Sequence, residues 1–370
     1  MKRGIRLIVL MAVLLGLSNC KKSKVDIVYD KKYVKEIKEI REELGFYLER
    51  NFIPGGSFAI AKNGEFIYSE GMGYASKELN VKVNRKTKFR IAEISELFTS
   101  MVYQLMVEEG ILNPDSTVQY YLTDFPQKKY KLTLNDLVNH TSGIRKPIPK
   151  ELEWDGSVIN LATRIDYFRN DSLLFEPGFT QYPTPFSYDL LAAIMEKVSQ
   201  KTYSAILKEY LTDTLHLTNT EIDNPYRIIS GRTNYFDNNI AALNLNAPFI
   251  DLRSRAQSEG LISNAEDLVK FGNAILFSDV IPENVKDRLF KPISLKSGEK
   301  TRFSNGWVLT ETKNGAKLYG MSGSVIGGGA TLLIIPEEKI VFAAAVNLTS
   351  EMNDLPVNSV IEPFFNQKER

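Results

Sequence analysis

Between Ile94 and Met106 the apolar residues Ile94, Leu97, Phe98, Met101, Val102, Leu105 and Met106 recur at helical spacing. The stripe they form is too wide for a helix that keeps one face in water, so the segment is predicted to be a core helix around which the rest of the chain must close. Directly in front of it runs Phe89-Arg90-Ile91-Ala92-Glu93-Ile94-Ser95-Glu96. This is a buried helix start built to hold chemistry, and it puts Glu93 and Glu96 about one turn apart at the helix's front edge.

At 370 residues, 43% of them hydrophobic, the chain can bury a large core, arranged as one big domain or two modest ones. Lys2, Arg3 and Arg6 precede an apolar run from Leu7 to Gly16. That run is too short to span a bilayer and too basic at its front for a core helix, so residues 1–19 are expected to be a secretory signal. It ends in Leu17-Ser18-Asn19-Cys20, which resembles a bacterial lipoprotein cleavage box, although Asn is less usual than Gly or Ala before the cysteine. Cys20 is then the expected lipid anchor to the membrane of an envelope protein, with more than one acyl chain needed for stable attachment. Removing Lys2, Arg3 and Arg6 from 46 basic residues leaves 43 against 45 acidic, a formal charge of −2. That balance suggests neither nucleic acid nor an anionic membrane surface as partner. Cys20 is the only cysteine, and His140 and His216 are isolated, so no disulfide, metal or cofactor is expected.

Residues 20–32 are mixed in charge and read as a short tether. Val34, Ile37, Ile40, Leu44 and Leu48 mark an amphipathic surface helix. Ser57 to Ala61, Asn63-Gly64 and Phe66-Ile67-Tyr68 read as a hairpin. The last third reads as strands over Gly306 to Leu309, Lys317 to Met321, Gly329 to Ile335 and Ile340 to Val346, closed by a helix around Val357 to Phe365. The Gly327-Gly328-Gly329 run leads into a strand and not a helix, so it is read as a close-approach bend rather than a phosphate loop.

Several stretches carry a family resemblance. Phe89 to Thr99 resembles the Phe-Arg-Ile-Ala-Ser-x-Ser-Lys-x-Phe-Thr signature of class C type serine β-lactamases, penicillin-binding DD-peptidases and related esterases. Leu137-Val138-Asn139-His140-Thr141-Ser142-Gly143 matches that family's Leu-Leu-x-His-Thr-Ser-Gly. Pro177-Gly178 followed by Tyr188-Asp189-Leu190-Leu191, and Glu259-Gly260-Leu261-Ile262-Ser263-Asn264-Ala265, fall in the same order as the family's later blocks. The resemblance spans about residues 33–365. It implies an α/β (α+β) fold of the serine β-lactamase and DD-peptidase type, an antiparallel sheet flanked by helices. The sheet part would take about 33–90 and 260–365, with a mostly helical subdomain over about 91–259.

It also implies where catalysis should sit, and there this chain departs from the pattern. The serine and lysine positions are Glu93 and Glu96, the tyrosine and asparagine positions are Pro183 and Pro185, and the His or Lys of the third motif is Met321. Proline neither shuttles a proton nor donates a side-chain hydrogen bond, and methionine offers only a weak acceptor. A one-residue slip would bring in Tyr182, read here as a wall of the cleft. Gly323 and Ser324 remain, and the Ser324 N–H with the Glu93 N–H could form an oxyanion hole. His140 is read as holding a loop and His216 as surface. The pair Glu93 and Glu96 is expected to repel anionic ligands and favour cationic ones, with burial pushing one acid to keep its proton.

The expected function is that of a β-lactamase-related envelope lipoprotein, catalytically inactive, whose cleft takes a peptide, a peptidoglycan fragment or a protein partner. The alternatives are an active hydrolase of esterase or peptidase type working through the carboxylates or Tyr182, and a purely structural envelope protein.

Overall fold

A computed structural model describes residues 26–152, 160–238 and 243–366. The expected signal, Cys20 and the start of the tether lie outside the described residues. The tether reading fails over Ile27–Tyr29 (β1), which pairs antiparallel with Tyr68 to Glu70 at the sheet edge. β-branched and aromatic residues in succession form a strand there despite the flanking charges.

The helix Val34–Arg50 (α1) is followed by the hairpin Gly55–Lys62 (β2) and Glu65–Ser76 (β3). Asn63 and Gly64 turn it at positive φ, the conformation a two-residue hairpin loop requires. Short strands Val81–Lys82 (β4) and Phe89–Arg90 (β5) lead to Ile94–Glu108 (α2). Helices Leu134–Val138 (α3), Leu161–Asp166 (α4), Pro185–Ser199 (α5) and Tyr203–Leu207 (α6) come next, then strands Glu221–Ile222 (β6), Phe236–Asn238 (β7), Asn244–Asn246 (β8) and Leu261–Ser263 (β9). Ala265–Phe277 (α7) and Glu283–Leu289 (α8) precede the strands Phe303–Ser304 (β10), Trp307–Glu311 (β11), Lys317–Val325 (β12), Gly328–Ile335 (β13) and Ile340–Val346 (β14), and Val357–Ile361 (α9) follows. The main sheet runs β1-β3-β2-β14-β13-β12-β11-β10, antiparallel throughout, with β4 on β3.

The central strand β14 shows why the sheet is a middle layer. Val341, Ala343 and Ala345 enter one core with α7 and α2, whereas Ile340, Phe342, Ala344 and Val346 enter another with α1 and α9. A period of two with apolar residues on both faces requires helices on both sides. In α2 every residue from Ile94 to Met106 is buried, and Phe98 stacks on Phe271 of α7 at 4.3 Å between ring centroids. Each buried Leu, Phe or Met there contributes roughly 1.5–3 kcal/mol.

The mostly helical stretch is inserted between β5 and β9, which pair with each other in a small sheet that also takes β6. Both crossings between sheet and insertion therefore lie side by side at the foot of α2. A fully buried ion pair, Arg164 to Asp189 at 2.7 Å, joins α4 to α5 inside the insertion.

Candidate active-site cleft

A cavity of about 610 Å³ opens where α2 begins, between β12 and the start of α5. Glu93, Glu96, Pro183, Pro185 and Met321 all line it. The five positions at which the sequence departs from the motifs thus converge on one place. Local structure explains each. Pro185 is the first residue of α5, with Thr184 as its extended N-cap, a position proline suits because its missing N–H is not needed there. Met321 sits on β12, opposite Leu332 of β13.

Ala92 has φ 49°, in the left-handed region, and Glu93 returns to right-handed backbone as the helix starts. Ile94, Ser95 and Glu96 donate their N–H groups back to Ile91, Ala92 and Glu93, making a tight first turn. The Glu93 side chain folds over this turn and accepts a hydrogen bond from the Ser324 N–H at 2.8 Å. Gly323 permits the approach: a Cβ there would stand 2.6 Å from Glu93 Oε2 and 2.7 Å from Glu93 N. The Ser324 N–H, expected from sequence to serve an oxyanion hole, is therefore taken by the Glu93 side chain. Burial pushes the Glu93 carboxyl up to about 8, reinforced by Glu259 and Glu96 and opposed by the backbone N–H groups of Glu93 and Ser324.

Glu96 is 4% exposed, and its Oε2 lies 3.1 Å from His140 Nε2. Burial raises its pKa, while His140 works against that shift. On its other side the imidazole accepts from the Thr184 N–H at Nδ1, 3.4 Å away, which assigns the proton to Nε2. His140 is thus more than a loop anchor. It also lines the cavity and partners the acid that stands in the lysine position. Sequence reasoning missed this, although an acid at that buried position signals that a donor must lie nearby.

Sequence reasoning also missed Arg255 and Glu259, which line the cavity as a hydrogen-bonded ion pair. Their i,i+4 spacing was the available signal. With Glu96 held by His140, Glu259 by Arg255, Glu93 keeping its proton at neutral pH and Lys146 at the wall, the cavity does not carry the net negative charge expected of it. Tyr182 is also corrected: its ring meets Phe175 edge-on at 6.2 Å with Lys146 Nζ 5.1 Å from its centroid, and it is not among the residues lining the cavity.

Two serines do line the cavity. Ser258 donates to the Arg255 carbonyl and Ser322 shares a hydrogen bond with Thr331. Among the described residues no group of three or more His, Cys, Asp or Glu is placed to hold a metal ion.

The family profile described as Beta-lactamase matches residues 38–360, from within α1 to within α9. The chain belongs to the beta-lactamase family. Among curated relatives, the mitochondrial serine beta-lactamase-like protein LACTB of Homo sapiens is 24% identical, over 81% of this chain and 70% of that protein. Penicillin-binding protein 4* of Bacillus subtilis is 26% identical over 72% of this chain and 62% of its own length. Among solved structures, FmtA from Staphylococcus aureus superposes with a TM-score of 0.77 at 20% identity, covering 94% of this chain and 93% of FmtA. A class C beta-lactamase gives 0.77 at 14% identity, covering 92% and 100%. These likenesses establish the serine beta-lactamase and penicillin-binding-protein fold.

Proposed function

We propose that this member of the beta-lactamase family is an envelope lipoprotein, anchored through Cys20, whose cleft binds a peptide, a peptidoglycan fragment or a protein partner without forming an acyl-enzyme. One observation carries the reading: the side chain in the nucleophile's position is a carboxyl, and it takes the Ser324 N–H that an acyl oxygen would need. The neighbouring positions offer no repair. Glu96 carries no amine, Pro183 and Pro185 have no side-chain donor, and both His140 nitrogens are engaged, so the imidazole has no free acceptor for a nucleophile's proton. Losing the nucleophile alone from such a unit costs on the order of 10⁶ in turnover, and further losses add little once the unit has failed. Among the described residues no helix is long and apolar enough to cross a membrane; attachment in this reading comes from acyl chains on Cys20.

The test is covalent labelling. The purified domain, incubated with a fluorescent penicillin and with a fluorophosphonate, should show no adduct by intact mass at times that saturate an active serine hydrolase. A stoichiometric adduct at any residue would overturn the reading in favour of a hydrolase with unorthodox residues.

A further inference from the structure

Five large apolar side chains that are each more than half exposed, Leu79, Tyr226, Ile228, Leu245 and Phe249, gather at one end of the molecule. Contacts between their segments put them there. Lys77 Nζ donates to the Asn244 side chain of β8 at 2.9 Å, Asn246 donates to Glu78 at 3.3 Å, and the rings of Tyr226 and Phe249 meet edge-on at 6.1 Å. A second cavity, of about 660 Å³, lies among them, lined by Tyr226, Arg227, Ile228, Arg232, Asn246 and Phe249 with their neighbours. An exposed apolar cluster around a hollow marks a contact surface. Its rim is basic. Lys77, Lys82, Lys86 and Arg227 are exposed there, whereas Asp26 is paired with Arg85 and Glu78 is bonded by Asn246. The whole chain's formal charge of +1 hides this local excess.

We propose that this surface docks on the lipid bilayer, with Tyr226, Ile228 and Phe249 entering the interface and the basic rim meeting lipid phosphates. The inference rests on anchorage through Cys20. Only residues 21–25 separate that cysteine from Asp26, so Asp26 lies within roughly 20 Å of the lipid even with the stretch fully extended. The Asp26 carboxylate is held by Arg85 Nε at 2.8 Å, and three residues on the Lys88 N–H donates to the Gly231 carbonyl at 2.8 Å, next to Arg232 of the second cavity. The point where the tether joins the fold is therefore beside the apolar cluster, and the surface nearest the anchor is the one built to meet lipid. Lys21, Lys22 and Lys24 extend its basic rim along the tether. Long cationic side chains reach phosphates while apolar neighbours sit deeper, and each cation near an anionic leaflet adds to the attraction. Ile250 is a wall of both cavities, so this docking sets the cleft beside the headgroup layer.

The test places the mature acylated protein in vesicles of phosphatidylcholine with about a quarter phosphatidylglycerol, with and without bromine on the lipid chains. Bromine quenches tryptophan on contact. After subtraction of the wild-type signal, Ile228→Trp should lose about half of its emission in the brominated vesicles, as a side chain seated at the boundary of headgroups and chains does. Tyr120→Trp should lose none. Tyr120 is also exposed, but its neighbour Tyr121 bonds Asn113 just past the end of α2, whereas the docking surface includes Arg90 just before the start of that helix. Both substitutions replace exposed side chains, so folding is not at issue. Equal quenching at the two positions, or none at Ile228→Trp, in protein whose intact mass carries the acyl chains overturns the proposal. An intact mass without acyl chains overturns the anchor instead and takes this inference with it, which keeps the two failures distinct.

Discussion

Lowering the pH from about 8.5 to about 5 is expected to stabilise the protein, and Glu93→Gln is expected to remove a large share of that gain. The sign follows from the direction of the shift. The folded-state carboxyl is raised from 4.5 to about 8, so between those values the native state holds a proton that the unfolded chain has released. The stability this contributes is fully present below the unfolded value and is lost as the pH rises through about 8. The full difference is on the order of 5 kcal/mol. Glu96 and Asp189 are also raised by burial and act in the same sense, so the comparison with Glu93→Gln isolates the one group. Urea denaturation of both proteins across this range measures it. Parallel pH profiles would show that Glu93 ionises in the native state as it does in the unfolded chain.

The second large effect concerns the imidazole. Replacing His140 by alanine leaves Glu96, 4% exposed, without its hydrogen-bond partner. Leaving a buried acceptor without its donor costs roughly 1–3 kcal/mol, and more when the acceptor is ionised. Without the imidazole the Glu96 carboxyl is held further above its unfolded value, so the loss should be greatest above neutral pH and shrink as the acid protonates. Glu96→Gln in the same background should recover a substantial part of the loss, since a neutral amide tolerates burial better than a carboxylate. His140 also contacts the rings of Tyr188 and Phe303, with centroids at 5.1 and 5.4 Å. If the single and double variants are equally unstable, lost ring packing and not an orphaned acid accounts for the effect. A double-mutant cycle separates the two.

Much of the architecture was legible because it rests on local pattern. The apolar stripe of α2, the Asn63-Gly64 turn, the both-faces-apolar β14 and the alternation of motif blocks placed the core helix, the hairpin and the last strands within a few residues. Asn264, inside the motif block that precedes α7, caps that helix by accepting from the Asp267 N–H. The edge strand β1 was not legible, because its three residues sit among charges that outweigh them in composition.

The site was legible in position and not in state. Motif spacing brought Glu93, Glu96, Pro183, Pro185 and Met321 to one cavity, yet nothing in the spacing said where the Glu93 side chain would turn. That depended on Gly323 and Ser324, more than two hundred residues away along the chain. The charge balance depended on His140, Arg255 and Glu259, which join the cavity from two segments far from α2 in the chain. Sequence reading counted the acids on α2 and assigned them an electrostatic role; the fold supplies each with a donor or a proton instead.

Whether the Glu93 carboxyl sits in the seat of an acyl oxygen can be read from one amide proton. In a pH titration of the ¹⁵N-labelled protein followed by NMR, the Ser324 N–H should shift with an inflection near the Glu93 value of about 8, and this inflection should vanish in Glu93→Gln. A Ser324 amide that is flat across this range in wild type, or that titrates alike in both proteins, would contradict the account.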